Sequence, residues 1–287
     1  SFNVLYTMYE NANLPRIVYE QLGNADLVVV PSDWCGEVFR KYTDTPVEVC
    51  PLGVDPKEFP YKRRRWKRGT KFRFLYLGAA NPRKYTILSR LYREFISNIP
   101  DCELYMKTTG ADFASAGKLV DAGIASAEGD IVRGEDWVVD NRLLPSASLS
   151  EVYQSAHVCL LPTCGEGFGL TGLEAMSSGT PLIVSNWSGV TQYANSRNSL
   201  LIDCVYGDHS SRFSEMGIDT SVNPDEPHAY HVGWPDMGSA VRSMHIAYGN
   251  YDALTKKAVR ASRLASEMTW ENTAKRLCDI LAKYGIL

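Results

Sequence analysis

Two glutamates eight positions apart, Glu166 and Glu174, mark the stretch of this chain with the clearest chemical pattern. Around the first of them, glycines occupy positions 165, 167 and 169. A glycine turn that leads into a helix presents unpaired backbone N–H groups, with the positive end of the helix dipole behind them. Such a turn suits a phosphate, because glycine lets the backbone approach a ligand closely. The pattern therefore predicts an anion site flanked by two carboxylates.

The carboxylates narrow the choice of ligand. A carboxylate in contact with a phosphate would repel it, whereas a carboxylate readily accepts hydrogen bonds from hydroxyl groups. If helical rise is applied between Glu166 and Glu174, the two residues are about 12 Å apart. That distance allows a sugar, a diphosphate and a ribose to lie between them in order. The expected ligand is therefore a nucleoside diphosphate sugar.

The elements that must position this turn form an αβ unit. Apolar runs predict buried strands at residues 158–161 and 181–185, and residues 170–178 are predicted to form the helix between them. Gly179 stands where glycine commonly ends a helix. Open parallel sheets bind ligands beyond the carboxyl ends of their strands. The glycine turn is predicted to lie at that edge.

The motif and its flanks resemble those of the retaining glycosyltransferases of family four, which have the GT-B fold. The resemblance covers most of the chain, in five segments that occur in the family's order. They are the glutamate motif, the helix and strand before it, the strand and loop after it, the link between two domains, and the start of the last helix. The segments are residues 166–176, 149–158, 179–190, 51–55 and 270–274.

The resemblance implies two Rossmann-like domains. We expect a partial N-terminal, acceptor-side domain at residues 1–54, a linker at 55–71 and a C-terminal nucleotide-sugar-binding domain at 72–268. Residues 269–287 are expected to form a helix that packs back toward the first domain. Residues 1–54 hold too few elements for a doubly wound domain, so truncation, cleavage or a split gene is expected to have removed its first strands. The predicted class is α/β of GT-B type, with a complete C-terminal parallel-sheet domain.

Apolar periodicity and turn residues predict the remaining elements. Predicted strands are residues 2–6, 26–30, 47–50, 72–78, 103–107 and 137–139. Predicted helices are residues 15–22, 34–42, 85–96, 239–248, 251–267 and 270–283. Residues 206–235, rich in proline and glycine, are expected to form an irregular inserted loop.

Two cations form a second part of the predicted site. Arg83 and Lys84 follow the strand at residues 72–78, and are expected at the same sheet edge as the glycine turn. There they would neutralise the diphosphate and the charge that builds on it as the sugar leaves. The family carries a lysine at the position of Lys84 and often an arginine at that of Ala79, so clamping is either weaker here or supplied by Arg83. The alternative is a solvated basic turn.

By this resemblance the reaction is glycosyl transfer with retention at the anomeric carbon. Glu166 would position the donor sugar, the backbone N–H groups that follow would hold the leaving diphosphate, and Glu174 would hold the ribose. No protein nucleophile is evident, and the leaving phosphate would take the acceptor's proton. The sequence has no Asp-x-Asp triplet, so neither a metal nor another cofactor is expected. The candidate catalytic residues are Glu166, Lys84 and Arg83, and the candidate donor-binding residues are Gly167, Phe168, Gly169, Leu170 and Glu174.

Composition is that of an ordinary globular enzyme. The chain has 287 residues, 45% hydrophobic and 22% charged, and its net charge of −3 gives no general case for a nucleic-acid partner. No apolar run reaches the length of a membrane span and no signal peptide is visible. We expect a cytoplasmic protein, at most peripheral to the membrane. The acceptor is left open among a glycan, a lipid, a protein and a small molecule.

Several features have a structural interpretation beside the functional one. The basic run at residues 62–68 suits nucleic acid or anionic lipid, although its place in the linker favours a solvated hinge. His228 and His231 have a metal-like spacing but no further ligands, which favours an exposed loop. Glu10 is either an acceptor contact, a helix N-cap or an interface carboxylate. Glu174 alone could simply stabilise the start of a helix.

Two other function classes remain open on the sequence. One is a non-catalytic nucleotide-sugar binding module or subunit, which would need a separate or missing N-terminal segment for transfer. The other is a dinucleotide-dependent oxidoreductase. It is the weaker of the two, because the chain lacks a Gly-x-Gly-x-x-Gly turn after a first strand with an acidic residue about twenty positions on.

Overall fold

The structure is a computed structural model that describes residues 1–79, 84, 87–108, 131–215, 220 and 230–287. The strands of this part of the chain form three sheets. The first is parallel, has the order β1-β2-β3, and lies wholly before residue 50. Its strands are β1 (Val4–Tyr6), β2 (Leu27–Val30) and β3 (Val47–Val49).

The second sheet has seven strands in the order β10-β9-β8-β4-β5-β7-β6, and only its edge strand β6 runs antiparallel. This order makes β4 the direct neighbour of β8, with Phe74 opposite Val158 and Leu75 opposite Cys159. The loops that follow β4 and β8 therefore leave the same edge of the sheet. The strands are β4 (Phe72–Leu77), β5 (Cys102–Lys107), β6 (Ile131–Arg133), β7 (Trp137–Asp140), β8 (Val158–Leu161), β9 (Leu182–Ser185) and β10 (Leu200–Ile202).

Helices cover both faces of this sheet, as its continuous apolar strands require. On β4, Phe72, Phe74 and Tyr76 pack into one core and Leu75 packs into the core of the opposite face. The helices among the described residues are α1 (Arg16–Leu22), α2 (Asp33–Phe39), α3 (Leu88–Glu94), α4 (Ser146–Ser155), α5 (Leu170–Ser177), α6 (Ser210–Glu215), α7 (Met237–Gly249), α8 (Tyr251–Glu267) and α9 (Trp270–Lys283). The predicted parallel-sheet α/β class is confirmed.

The last helix, α9, lies against the first sheet. Its Ile280 is 2% exposed and packs with Leu27, Val29 and Cys50. At its start, the Thr273 hydroxyl donates to the Pro51 carbonyl at 2.9 Å. The C-terminal part of α9 therefore packs on the three-stranded sheet, and its N-terminal part is bonded to the connection between β3 and β4, residues 50–71.

The prediction of an irregular loop at residues 206–235 is wrong at both of its ends. Strand β11 (Cys204–Asp208) pairs antiparallel with β12 (His231–Pro235), and α6 follows β11. The pairing is stabilised by burial of Val232 and Trp234 in the main core, a distant contact that proline and glycine counts do not reveal. His231 lies in β12, whereas His228 lies outside the described residues.

The predicted helix at residues 85–96 is observed as α3, followed by a 3-10 turn at Ile96–Asn98. Strands β6 and β10 were not predicted. Each has only three residues, too few for alternation of apolar and polar side chains to stand out.

Candidate active site

The glycine turn joins β8 to α5 at the carboxyl edge of the large sheet. Gly169 is the N-cap of α5 and has φ 77°, a left-handed conformation that glycine adopts without strain. No side chain caps the helix. No residue in the described part of the chain accepts a hydrogen bond from the N–H groups of Phe168, Gly169 or Leu170. These N–H groups and the helix dipole make the turn a suitable anion site.

Glycine is needed at positions 165 and 167 for a different reason from the one that the sequence predicts. Neither has a positive φ, and both are crowded by residues that precede β2 rather than by space for a ligand. A Cβ on Gly165 would lie 2.2 Å from the Glu10 carbonyl oxygen, and one on Gly167 would lie 2.8 Å from Met8 Sδ. These two glycines therefore permit close packing of the N-terminal residues onto the turn.

The start of α2 completes this contact. The hydroxyl of Ser32 donates to the Gly167 carbonyl at 2.8 Å, and the thiol of Cys35 lies 3.3 Å from the same oxygen. The N–H of Asp33 donates to the side chain of Gln192 at 2.8 Å. Residues at the start of α2, which follows the three-stranded sheet's strand β2, thus donate hydrogen bonds to loops of the seven-stranded sheet.

Lys84 lies between two carboxylates at this junction. Its Nζ is 2.6 Å from Glu10 Oε1 and 2.6 Å from Glu166 Oε2, and it also donates to the Gly165 carbonyl at 3.4 Å. The Lys84 side chain is 13% exposed, so solvent screens these charges only partly. Lys84 and Glu166, expected to share a sheet edge, are therefore in direct contact. Arg83 lies outside the described residues.

Of the alternatives for Glu10, the structure matches an interface carboxylate. It comes from the stretch between β1 and α1 and reaches Lys84, which follows β4 in the chain. The sequence offers only a lone acidic residue after a strand, which does not identify a partner 74 positions away.

The loop after β9 holds Glu166 by its backbone. The Glu166 N–H donates to Ser188 Oγ at 2.9 Å, and the Glu166 carbonyl accepts from the Gly189 N–H at 2.8 Å. A Cβ on Gly189 would lie 2.1 Å from the Gly167 carbonyl oxygen, so this position requires glycine. Ser188 itself has φ 67°, which is uncommon for a residue with a side chain.

Two of the candidate donor-binding residues, Phe168 and Gly169, can offer a ligand their backbone N–H groups but not a side chain. Phe168 is 1% exposed, and its ring packs 5.4 Å from that of Tyr193. The hydroxyl of Tyr193, a residue that sequence reasoning did not single out, donates to the Gly169 carbonyl. Tyr193 thereby stabilises the glycine turn through its ring and its hydroxyl.

Glu174 lies one turn into α5, and only this part of the span from Glu166 is helical. The hydroxyl of Tyr153, on α4, donates to Glu174 Oε2 at 2.7 Å. Burial raises the pKa of Glu174, the hydrogen bond from Tyr153 lowers it and the nearby charge of Glu58 raises it, with a net pKa of about 7. A group that titrates near neutral pH in this place is a candidate for function.

The basic run at residues 62–68 is only partly exposed to solvent. Arg64 is 8% exposed, and its Nη2 donates to the Ser178 carbonyl and to Thr180 Oγ1, both at 2.9 Å. The expectation of a solvated hinge is therefore wrong for Arg64, whose charge satisfies groups at the C-terminal end of α5. The exposed cations of the run are Lys62, Arg63, Arg65, Lys67 and Arg68.

The described residues contain no group of three or more His, Cys, Asp or Glu side chains arranged to hold a metal ion. None of the helices in this part of the chain has the length and apolarity needed to cross a membrane.

Solved structures that match this architecture include GT-B glycosyltransferases. Anabaena HepE, solved with UDP and glucose, matches with a TM-score of 0.70 and 13% identity over 97% of this chain and 71% of its own. Sucrose-phosphate synthase from Thermosynechococcus elongatus matches with a TM-score of 0.68 and 17% identity over 93% of this chain and 60% of its own. At such identities the likeness establishes the fold, which is of GT-B type.

Comparison of the sequence with protein families is more specific than the likeness in fold. The family described as "Family 4 Glycosyltransferase in conflict systems" matches residues 32–277. The chain belongs to this family, and the resemblance drawn from its motifs to family-four glycosyltransferases is confirmed.

Curated relatives match over part of their length. D-inositol 3-phosphate glycosyltransferase of Paenarthrobacter aurescens is 29% identical over 210 residues, which are 66% of this chain and 48% of that protein. Sucrose synthase of Melioribacter roseus is 28% identical over 159 residues, which are 52% of this chain and 16% of that protein. The chain spans about half the length, or less, of these relatives.

Proposed function

We propose that this chain transfers a sugar from a nucleoside diphosphate sugar to an acceptor, with retention at the anomeric carbon and without a metal ion. The observation that carries the proposal is the contact between Lys84 and Glu166 at the mouth of the glycine turn, at 2.6 Å. Lys84 offers a cation for a diphosphate, and Glu166 beside it offers a carboxylate for sugar hydroxyls. They lie next to backbone N–H groups that donate to no described residue.

The donor would lie along the turn in one direction. Its sugar hydroxyls would donate to Glu166, and its diphosphate would accept from the N–H groups of Phe168, Gly169 and Leu170. Its ribose hydroxyls would donate to Glu174, one helical turn further on. The hydroxyl of the buried Tyr193 donates to the Gly169 carbonyl and would so keep the N–H groups in place.

Lys84 would exchange partners when the donor binds. Its ammonium group contacts the carboxylates of Glu10 and Glu166. A diphosphate brings more negative charge than one carboxylate and a geometry that accepts several hydrogen bonds. Lys84 would therefore turn from Glu10 toward the diphosphate, and its charge would be worth most as the leaving group gains negative charge.

In the chemical step the bond between the anomeric carbon and the diphosphate oxygen breaks, and a bond to the acceptor oxygen forms on the same face. The acceptor hydroxyl's proton passes to the leaving diphosphate oxygen, and no atom of the protein enters a covalent bond. Glu166 fixes the sugar for this step, and Lys84 with the turn's N–H groups stabilises the departing diphosphate.

Slow donor hydrolysis tests this proposal without knowledge of the acceptor. The chain is incubated with UDP-glucose, GDP-mannose or ADP-glucose in EDTA, and nucleotide release and the first anomer of the freed sugar are followed by NMR. We expect release from one donor, with the donor's own anomeric configuration appearing first, and loss of release in Glu166→Gln. Glu151→Gln, an exposed site on α4, is the matched control.

Three results would contradict parts of the proposal. Inverted sugar as the first product would exclude retention, and release that needs added Mg²⁺ would exclude metal independence. Nucleotide binding without release or transfer from any donor would instead favour a non-catalytic binding module.

A further inference from the structure

Tyr153 is a fully buried residue in contact with Glu174, one of the proposed donor-binding residues. Its side chain is on α4, is 0% exposed, and donates its hydroxyl to Glu174 Oε2 at 2.7 Å. A hydrogen bond to a carboxylate is stronger than one to a neutral acceptor. No described residue donates to the other carboxylate oxygen, Oε1, of the partly exposed Glu174. The bond therefore fixes one oxygen and leaves one for a ligand.

Tyr153 is itself held from several sides. Its carbonyl accepts from Thr180 Oγ1 at 2.8 Å and from Arg64 Nη2 at 3.5 Å. Its ring meets that of Phe59 edge to face, at 5.9 Å. Arg64 and Phe59 belong to the connection between the three-stranded sheet and the seven-stranded sheet. The two hydrogen bonds fix the backbone of Tyr153, and the Phe59 ring limits movement of the phenol.

The charges around Glu174 make this hydrogen bond matter near neutral pH. Burial and the carboxylate of Glu58 raise its pKa, and the Tyr153 hydroxyl lowers it, with a result of about 7. The other titratable groups close to it, Cys159 and Tyr193, have pKa values raised by burial and stay neutral. Tyr153 is thus the neighbour that favours the ionised carboxylate.

We propose that Tyr153 is a positioning residue for nucleotide binding, which orients Glu174 and keeps it ionised so that its free oxygen accepts from the ribose hydroxyls. This inference rests on the proposed function, since it assigns the ribose to Glu174. Residues of the connection thereby act on the donor site through Tyr153.

The consequence is a defined pH dependence of binding. Ribose hydroxyls donate to the ionised carboxylate, so wild-type affinity rises as pH increases through about 7. Loss of the tyrosine hydroxyl removes the contact that lowers the pKa of Glu174, so the rise moves to higher pH. The fold difference in affinity between wild type and variant is then largest at pH 6, where both carboxylates are mostly protonated, and it shrinks toward pH 9.

The test is calorimetric titration of Tyr153→Phe with UDP, GDP and ADP from pH 6 to 9. We expect affinity for the nucleotide bound by wild type to fall about tenfold at pH 7, with a smaller loss at pH 9. Tyr251→Phe is the matched control, because Tyr251 is also buried and donates its hydroxyl to the His157 carbonyl at 3.0 Å. It should keep the wild-type affinity and pH profile.

Two results overturn the inference while the proposed function stands. One is wild-type affinity in Tyr153→Phe at every pH, and the other is an equal loss at every pH, which indicates general structural damage. If wild type binds none of the three nucleotides at any pH, the proposed function fails and the inference fails with it.

Discussion

Replacing Lys84 with alanine is expected to reduce donor turnover by about 10²–10³-fold, the usual cost of removing one group that stabilises a developing negative charge. Lys84 contacts both Glu10 and Glu166 at 2.6 Å and stands beside the turn that would receive the diphosphate. The measurement is the rate of nucleotide release from the donor that wild type hydrolyses. Lys71→Ala is the matched control, because Lys71 is exposed and precedes β4 at the opposite edge of the sheet.

Removal of Lys84 also leaves two carboxylates facing each other, so a structural loss must be separated from a chemical one. The double variant Lys84→Ala, Glu10→Ala removes that repulsion. We expect it to recover the wild-type unfolding midpoint but not the turnover. Recovery of turnover in the double variant, or wild-type turnover in Lys84→Ala, would contradict the role given to Lys84.

Replacing Arg64 with methionine is expected to lower the free energy of unfolding by about 3 kcal/mol, the order of one or two lost hydrogen bonds from a charged donor. Methionine fills much of the volume of the arginine stem, but it leaves the Ser178 carbonyl and Thr180 Oγ1 without their bonds at 2.9 Å. The measurement is urea unfolding followed by circular dichroism.

The chain supplies its own control for this effect. Arg65 is the next residue, carries the same charge and is exposed. Arg65→Met is expected to shift the unfolding midpoint little, because exposed charges contribute less than 1 kcal/mol as a rule. Equal midpoints for the two variants would show that the buried position of Arg64 carries no stability.

The elements that sequence could predict are those specified by their own residues. Strand β8 is apolar along its whole length, and β4 and β9 each have a single exception, Arg73 and Ser185, because both faces of a parallel sheet are buried. Helices α8 and α9 have amphipathic sequences and side-chain caps at Asn250 and Thr269, and their bounds match the prediction. The glycine turn was placed correctly at the sheet edge for the same local reasons.

What could not be predicted depends on contacts between distant residues. Gly165 and Gly167 suggested a ligand, yet their neighbours are Glu10 and Met8. A buried arginine within a run of exposed cations has no local sign, since only the fold brings Arg64 to the end of α5.

The same limit applies to the residues that support the site. Tyr153 reaches Glu174 across 21 positions, and Tyr193 reaches Gly169 across 24. The residues that flank each tyrosine in the sequence give no sign of its partner. The contact of β11 with β12 likewise depends on partners separated by a long segment.

We propose that the glycine turn and Glu174 bind a nucleoside diphosphate. The most direct measurement is calorimetric titration of the wild-type chain and of Glu174→Ala with UDP, GDP and ADP in the presence of EDTA. We expect saturable binding of at least one nucleotide at one site per chain, weakened strongly or lost in the variant. Absence of binding to all three, or equal binding by Glu174→Ala, would contradict it.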